Sequence, residues 1–127
     1  MKKVHEDDFD YRFGDNGPKY LSKGPNIDIG VVVLKPGQDF PNHYHTTCEE
    51  AFYILEGSIE FYINNKRYPV KPGDMIQCSP GDSHYLINES AKHFKALFIK
   101  SPHIAEKDSI VLDKPMIKEL KEDELGI

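Results

Sequence analysis

The chain of 127 residues has room for one domain, and a domain of that size buries roughly two thirds of its unfolded surface, so neither a metal nor a disulfide is required simply to fold it. A charged fraction of 29% against 39% hydrophobic argues against wholesale disorder, and 16 Lys and Arg against 21 Asp and Glu, with no basic stripe, argue against nucleic acid and anionic membrane as partners. No apolar run approaches the roughly 20 residues that span a bilayer, and the opening MKKVHEDDFD lacks an apolar signal core, which points to a cytoplasmic location.

Residues 1–24 are polar with scattered aromatics (Phe9, Tyr11, Phe13, Tyr20), a pattern suited to an arm lying on the body or on a partner subunit. From 27 to 35, IDIGVVVLK is rich in β-branched residues and is stopped by Pro36-Gly37, the signature of a strand ending in a turn. Two further strands, 51–55 (AFYIL) and 58–63 (SIEFYI), meet across Glu56-Gly57. Asn64-Asn65 then offers the left-handed residues that a hairpin turn demands, with 67–71 as the return strand. Pro72-Gly73-Asp74 and Pro80-Gly81-Asp82 punctuate short strands at 75–78 and 83–88, and 94–100 (FKALFIK) completes the set. Turn signals recur about every ten residues with no long helical-period segment between them, which predicts an all-β domain over 25–112, an antiparallel sandwich or barrel. Beyond it, Asp113 can cap a short C-terminal helix in 113–127, where Met116, Ile117 and Leu120 recur at helical spacing.

The residues that carry chemistry are His43, His45, Glu50 and His84. Two histidines at i and i+2 of a strand point to one face about 6.6 Å apart along the backbone, close enough to converge on one ion. Glu50 must reach them across a turn and His84 from a distant strand, so all four meet only if the sheet curls around a shared interior. Three imidazoles and a carboxylate suit one divalent transition metal (Fe, Mn, Ni, Co or Zn) and disfavour Ca and Mg. On an octahedral ion they leave two positions for water or substrate. Glu49 is adjacent to Glu50 and remains an alternative carboxylate. Alternation turns Phe52 and Ile54, and on the other strand Leu86 and Asn88, toward the same cavity as its walls. His5, His93 and His103 lie outside these runs and read as solvated surface side chains. Cys48 and Cys78 are expected as reduced thiols and small buried side chains, although Cys48, between His45 and Glu50, could face the cavity.

Gly37, five residues, His43, Tyr44, His45, four residues, Glu50, six residues and Gly57 closely resemble the first signature motif of the cupin superfamily. Gly73, Gly81, His84 and Asn88 resemble its second, with Ser79 standing where the family has proline. Only Glu50 leaves the family's six residues before Gly57. The fifteen residues between the motifs, 58–72, match the compact single-domain members. The resemblance implies a jelly-roll β-barrel, usually a homodimer, with His43, His45, Glu50 and His84 as metal ligands and a turn or supporting hydrogen bond for Asn88. It also implies a small-molecule substrate bearing oxygen and an enzyme of dioxygenase, decarboxylase or isomerase type. The alternatives are a barrel that binds a sugar or acid without turnover, and a scaffold merely braced by metal.

Overall fold

The computed structural model describes residues 1–115. Among them the strands are β1 (Gly17–Lys23), β2 (Asp28–Leu34), β3 (Asp39–His45), β4 (Glu49–Glu56), β5 (Ile59–Ile63), β6 (Lys66–Val70), β7 (Met75–Cys78), β8 (His84–Ile87), β9 (Phe94–Ser101) and β10 (Ser109–Val111). A single 3-10 turn, Glu6–Asp8, precedes them. They form two five-stranded antiparallel sheets, ordered β1-β2-β9-β4-β7 and β10-β3-β8-β5-β6. The all-β expectation holds. The architecture is two facing antiparallel sheets, in keeping with the sandwich or barrel that the pattern predicts, and among the described residues no ladder joins one sheet to the other.

Strand alternation explains how the sheets close on each other. Inward residues of β2, β4 and β9 (Val32, Leu34, Phe52, Ile54, Phe94, Ala96, Phe98) meet inward residues of β5, β6 and β8 (Ile59, Phe61, Val70, Leu86) in one core. Phe61 packs edge-on against both Phe52 and Phe94, with centroids 5.3 and 6.0 Å away. Burial of these large side chains, at about 1.5–3 kcal/mol each, is the main source of stability. The hairpin between β5 and β6 turns on Asn64 and Asn65, both at positive φ, as the sequence predicts.

Two strands depart from the sequence reading. Residues 17–23, expected within an arm, form β1, which pairs along β2 with a bulge between Tyr20 and Ser22. Gly17 and Pro18 mask this strand, since both residues are depleted in strands, yet at a sheet edge proline costs no ladder hydrogen bond. Strand β10, three residues long and too short to show a period, pairs with β3 so that Ser109, Ile110 and Val111 lie opposite His45, Tyr44 and His43. The C-terminal helix expected in 113–127 falls almost wholly outside the described residues; 113–115 carry no regular structure.

Candidate metal centre

The second sheet supplies the histidines and the first supplies the carboxylate. Strands β3 and β8 place His43 and His84 in register, with a bulge between Phe40 and His43 that re-aims the end of β3. His45, two residues on, shares His43's face. The β3–β4 turn then brings in Glu50, which alternation points inward with Phe52 and Ile54. Glu49 is exposed and accepts a hydrogen bond from Gln77, so Glu50 is the carboxylate of the cluster.

His43, His45, Glu50 and His84 are all buried, at 8% exposure or less, and one ligand atom from each lies within 4.8 Å of the others. With bonds of about 2.1 Å, two ligands of one ion sit roughly 3 to 4.2 Å apart, so a cluster of this span is compatible with a single-ion site after small side-chain adjustment. Proton positions point the same way. His43 Nδ1 lies 2.7 Å from the Pro41 carbonyl oxygen and His84 Nδ1 3.1 Å from that of Asp82; since a carbonyl only accepts, each Nδ1 carries a hydrogen. His45 Nδ1 donates to Asp108 Oδ1 at 2.9 Å. In neutral rings this leaves Nε2 as the lone-pair nitrogen, and Nε2 of His45 and His84 converge on one oxygen, Glu50 Oε1, at 3.2 and 3.0 Å. Lone pairs facing a carboxylate oxygen need either extra protons or a cation among them, and a divalent transition metal satisfies all four groups.

Electrostatics favour an ionised Glu50 and a neutral His43, the forms that bind a metal, while in the metal-free site they favour the charged form of His45. Burial alone would raise the Glu50 carboxyl, but hydrogen bonds from His45 and His84 draw it down to about 2. Burial and the neighbouring His84 push His43 down to about 4. Burial works against a charged His45 as well, yet hydrogen bonds to Glu50 and Asp108 raise it above its ordinary value.

A cavity of about 410 Å³ opens on the cluster, walled in part by His43, His45, Glu50, Phe52 and Leu86. Of the expected walls, Phe52 and Leu86 are present, whereas Ile54 and Asn88 are not. Ile54 lies deeper along β4 in the shared core. Asn88 is fully buried and ties turns together, its amide donating to the carbonyls of Leu34 and Lys92 at 2.9 and 2.8 Å. Cys48 does line the cavity, with burial and the Asp108 carboxylate pushing its thiol up to about 11; Cys78 is buried core. His103 corrects the sequence reading: it lines the cavity and binds Asp28 Oδ1 through Nδ1 at 2.8 Å. Asp108, Lys100 and Tyr20 also reach the cavity and were missed, because their roles depend on strand neighbours distant in sequence.

Residues 30–100 match the cupin domain family, more than half of the chain. The chain belongs to the cupin family. Among its relatives, an uncharacterized protein of Methanocaldococcus jannaschii is 30% identical over 93 residues, covering 73% of this chain and 74% of that protein. The L-ectoine synthase of Saccharophagus degradans is 29% identical over 93 residues, covering 71% and 69% respectively. A conserved double-stranded β-helix protein of Klebsiella pneumoniae shares the cupin fold, with a TM-score of 0.75 and 20% identity over 90% of this chain and 99% of that one. Among the described residues of this cupin, no helix is long and apolar enough to cross a membrane.

Proposed function

We propose that this cupin is a metal-dependent enzyme that holds one divalent transition metal on His43, His45, Glu50 and His84 and acts on a small oxygen-bearing substrate in the adjoining cavity. The observation that carries the reading is the convergence of two Nε2 atoms on Glu50 Oε1 while every Nδ1 is already committed to an acceptor. The ectoine synthase among the relatives supports the enzymatic reading.

When bound, the metal supplies Lewis acidity to a substrate oxygen. The chain's own residues do the rest. Asp108, Pro41 and Asp82 hold the three imidazoles in one tautomer and orientation, so the donor set is preorganised. Phe52 and Leu86 present an apolar wall that excludes water and strengthens electrostatic contacts at the site. We further propose a homodimer that covers the outer face of the first sheet, where Tyr53 and Met75 are register partners exposed at 45% and 59%.

The test is turnover of small keto acids, enols and hydroxy acids by protein loaded with Fe, Mn, Co, Ni or Zn. Activity abolished by a chelator and restored by one metal supports the enzyme. Tight binding of such a compound with no turnover under any metal would leave a non-catalytic ligand-binding barrel instead.

A further inference from the structure

An ionic row on the inner face of the first sheet runs into the candidate metal centre. Register pairing sets Asp28 opposite Lys100 and Lys100 opposite Glu50. Facing side chains of adjacent strands have Cβ atoms about 4.5–5.5 Å apart, so Lys100 stands between two buried carboxylates. Both carboxylates have other partners. Asp28 Oδ1 accepts from the Gly24 N–H and meets His103 Nδ1, each at 2.8 Å, while Glu50 Oε1 faces His45 and His84. The Lys100 ammonium instead donates to the Tyr20 hydroxyl at 3.1 Å and lies 5.6 Å from that ring's centroid. Among the described residues it has no other hydrogen bond. Tyr20 is fixed edge-on against Phe98, 5.1 Å between centroids, and both Tyr20 and Lys100 line the cavity beside His43, His45 and Glu50.

We propose that Lys100, steadied by Tyr20, anchors a carboxylate of the substrate, so that this site takes a small carboxylic acid bearing a hydroxyl or ketone close to its acid group. The inference rests on the metal-dependent reading above and names its substrate class. The ammonium has two N–H groups left after Tyr20, and Tyr20, accepting from Lys100, keeps its own O–H to donate. Together they present donors to both oxygens of one carboxylate. Lysine is ordinarily protonated at neutral pH, and the hydrogen bond to the Tyr20 hydroxyl fixes this ammonium at the cavity wall. A neutral sugar would leave the two remaining N–H groups of that ammonium without an anionic acceptor. Lys100 is the register partner of Glu50, so the anchor stands one strand away from the carboxylate of the cluster.

The experiment loads wild type, Lys100→Met, Lys100→Arg and Tyr20→Phe with manganese. It measures metal content, then titrates each by calorimetry with lactate and with its uncharged counterpart lactamide. Lactate is expected to bind wild type at least 10-fold more tightly than lactamide, and Lys100→Met to weaken lactate by about 10- to 100-fold, and lactamide by less, with metal still bound. Lys100→Arg retains lactate to within about 10-fold, since the charge and donors remain, and Tyr20→Phe loses several-fold. Equal binding of lactate and lactamide by wild type, a comparison that needs no variant, would overturn the anchor. So would undiminished lactate binding by Lys100→Met, or no lactate binding by manganese-loaded wild type. Failure of wild type to take up manganese, iron, cobalt, nickel or zinc would remove the metal reading itself, and this inference with it.

Discussion

Asp108 grips His45 from the side away from the cluster: Oδ1 takes the imidazole Nδ1 at 2.9 Å, and Oδ2 accepts the backbone N–H groups of Thr47 and Cys48 at 3.1 and 3.0 Å. One carboxylate immediately before β10 thus orients a candidate ligand and pins the turn that delivers Glu50.

Replacing Asp108 by Asn should weaken metal binding by about 10- to 100-fold, the usual cost of losing a carboxylate behind a ligating histidine. Competition against a fluorescent chelator measures it. Unchanged affinity would mean that His45 is oriented by its strand alone.

The same substitution has a pH signature in metal-free protein. Burial opposes the charged form of Asp108, but hydrogen bonds from Cys48, His45 and Thr47 win and hold its carboxyl well below the ordinary 3.8. The native state therefore binds this proton less readily than the unfolded chain. Its contribution is complete above pH 3.8 and drains away as pH falls through the lower native value. Urea denaturation should show Asp108→Asn less stable by about 1–3 kcal/mol at pH 7, with the gap closing in strong acid. A gap that widens in acid would reverse the assignment.

Gly57 and Gly37 both sit at positive φ, +80° and +84°, but only Gly57 has backbone against it: a Cβ there would lie 2.3 Å from the His93 carbonyl oxygen. Nothing lies within 4 Å at Gly37. Gly57→Ala should therefore cost more than Gly37→Ala, the latter about 1 kcal/mol from strain alone. Denaturation midpoints of the two variants decide it, and equal losses would show that the His93 segment yields freely.

Removing His45 should empty the site without unfolding the chain, because the core of Phe52, Phe61, Phe94 and their neighbours is built without it. The expectation for His45→Ala is loss of metal with the far-ultraviolet circular dichroism of wild type; a lost β signal would mean that the histidine is structural.

Legibility in the sequence follows the range of the interaction. Alternation is local, so the inward turn of His43, His45, Glu50 and Phe52 could be read from spacing, as could the Asn64-Asn65 hairpin. Alternation says which face a side chain takes but not how far along the strand the cavity extends, and so it points Ile54 to the same wall as Phe52, whereas Ile54 belongs to the core. Asn88 follows the same logic, its amide being consumed by turn carbonyls. Lys100, Asp108 and His103 were not legible at all. Their roles come from β9 pairing with β4, from β10 pairing with β3, and from a histidine clasped onto Asp28 across 75 residues of chain.

We propose above all that His43, His45, Glu50 and His84 hold one transition metal. Inductively coupled plasma mass spectrometry on untagged protein purified without air, with His84→Ala alongside, tests it most directly. Close to one equivalent of iron, manganese, cobalt, nickel or zinc in wild type, absent from the variant, is the predicted result. No metal in wild type even after reconstitution, or equal metal in both proteins, would contradict it.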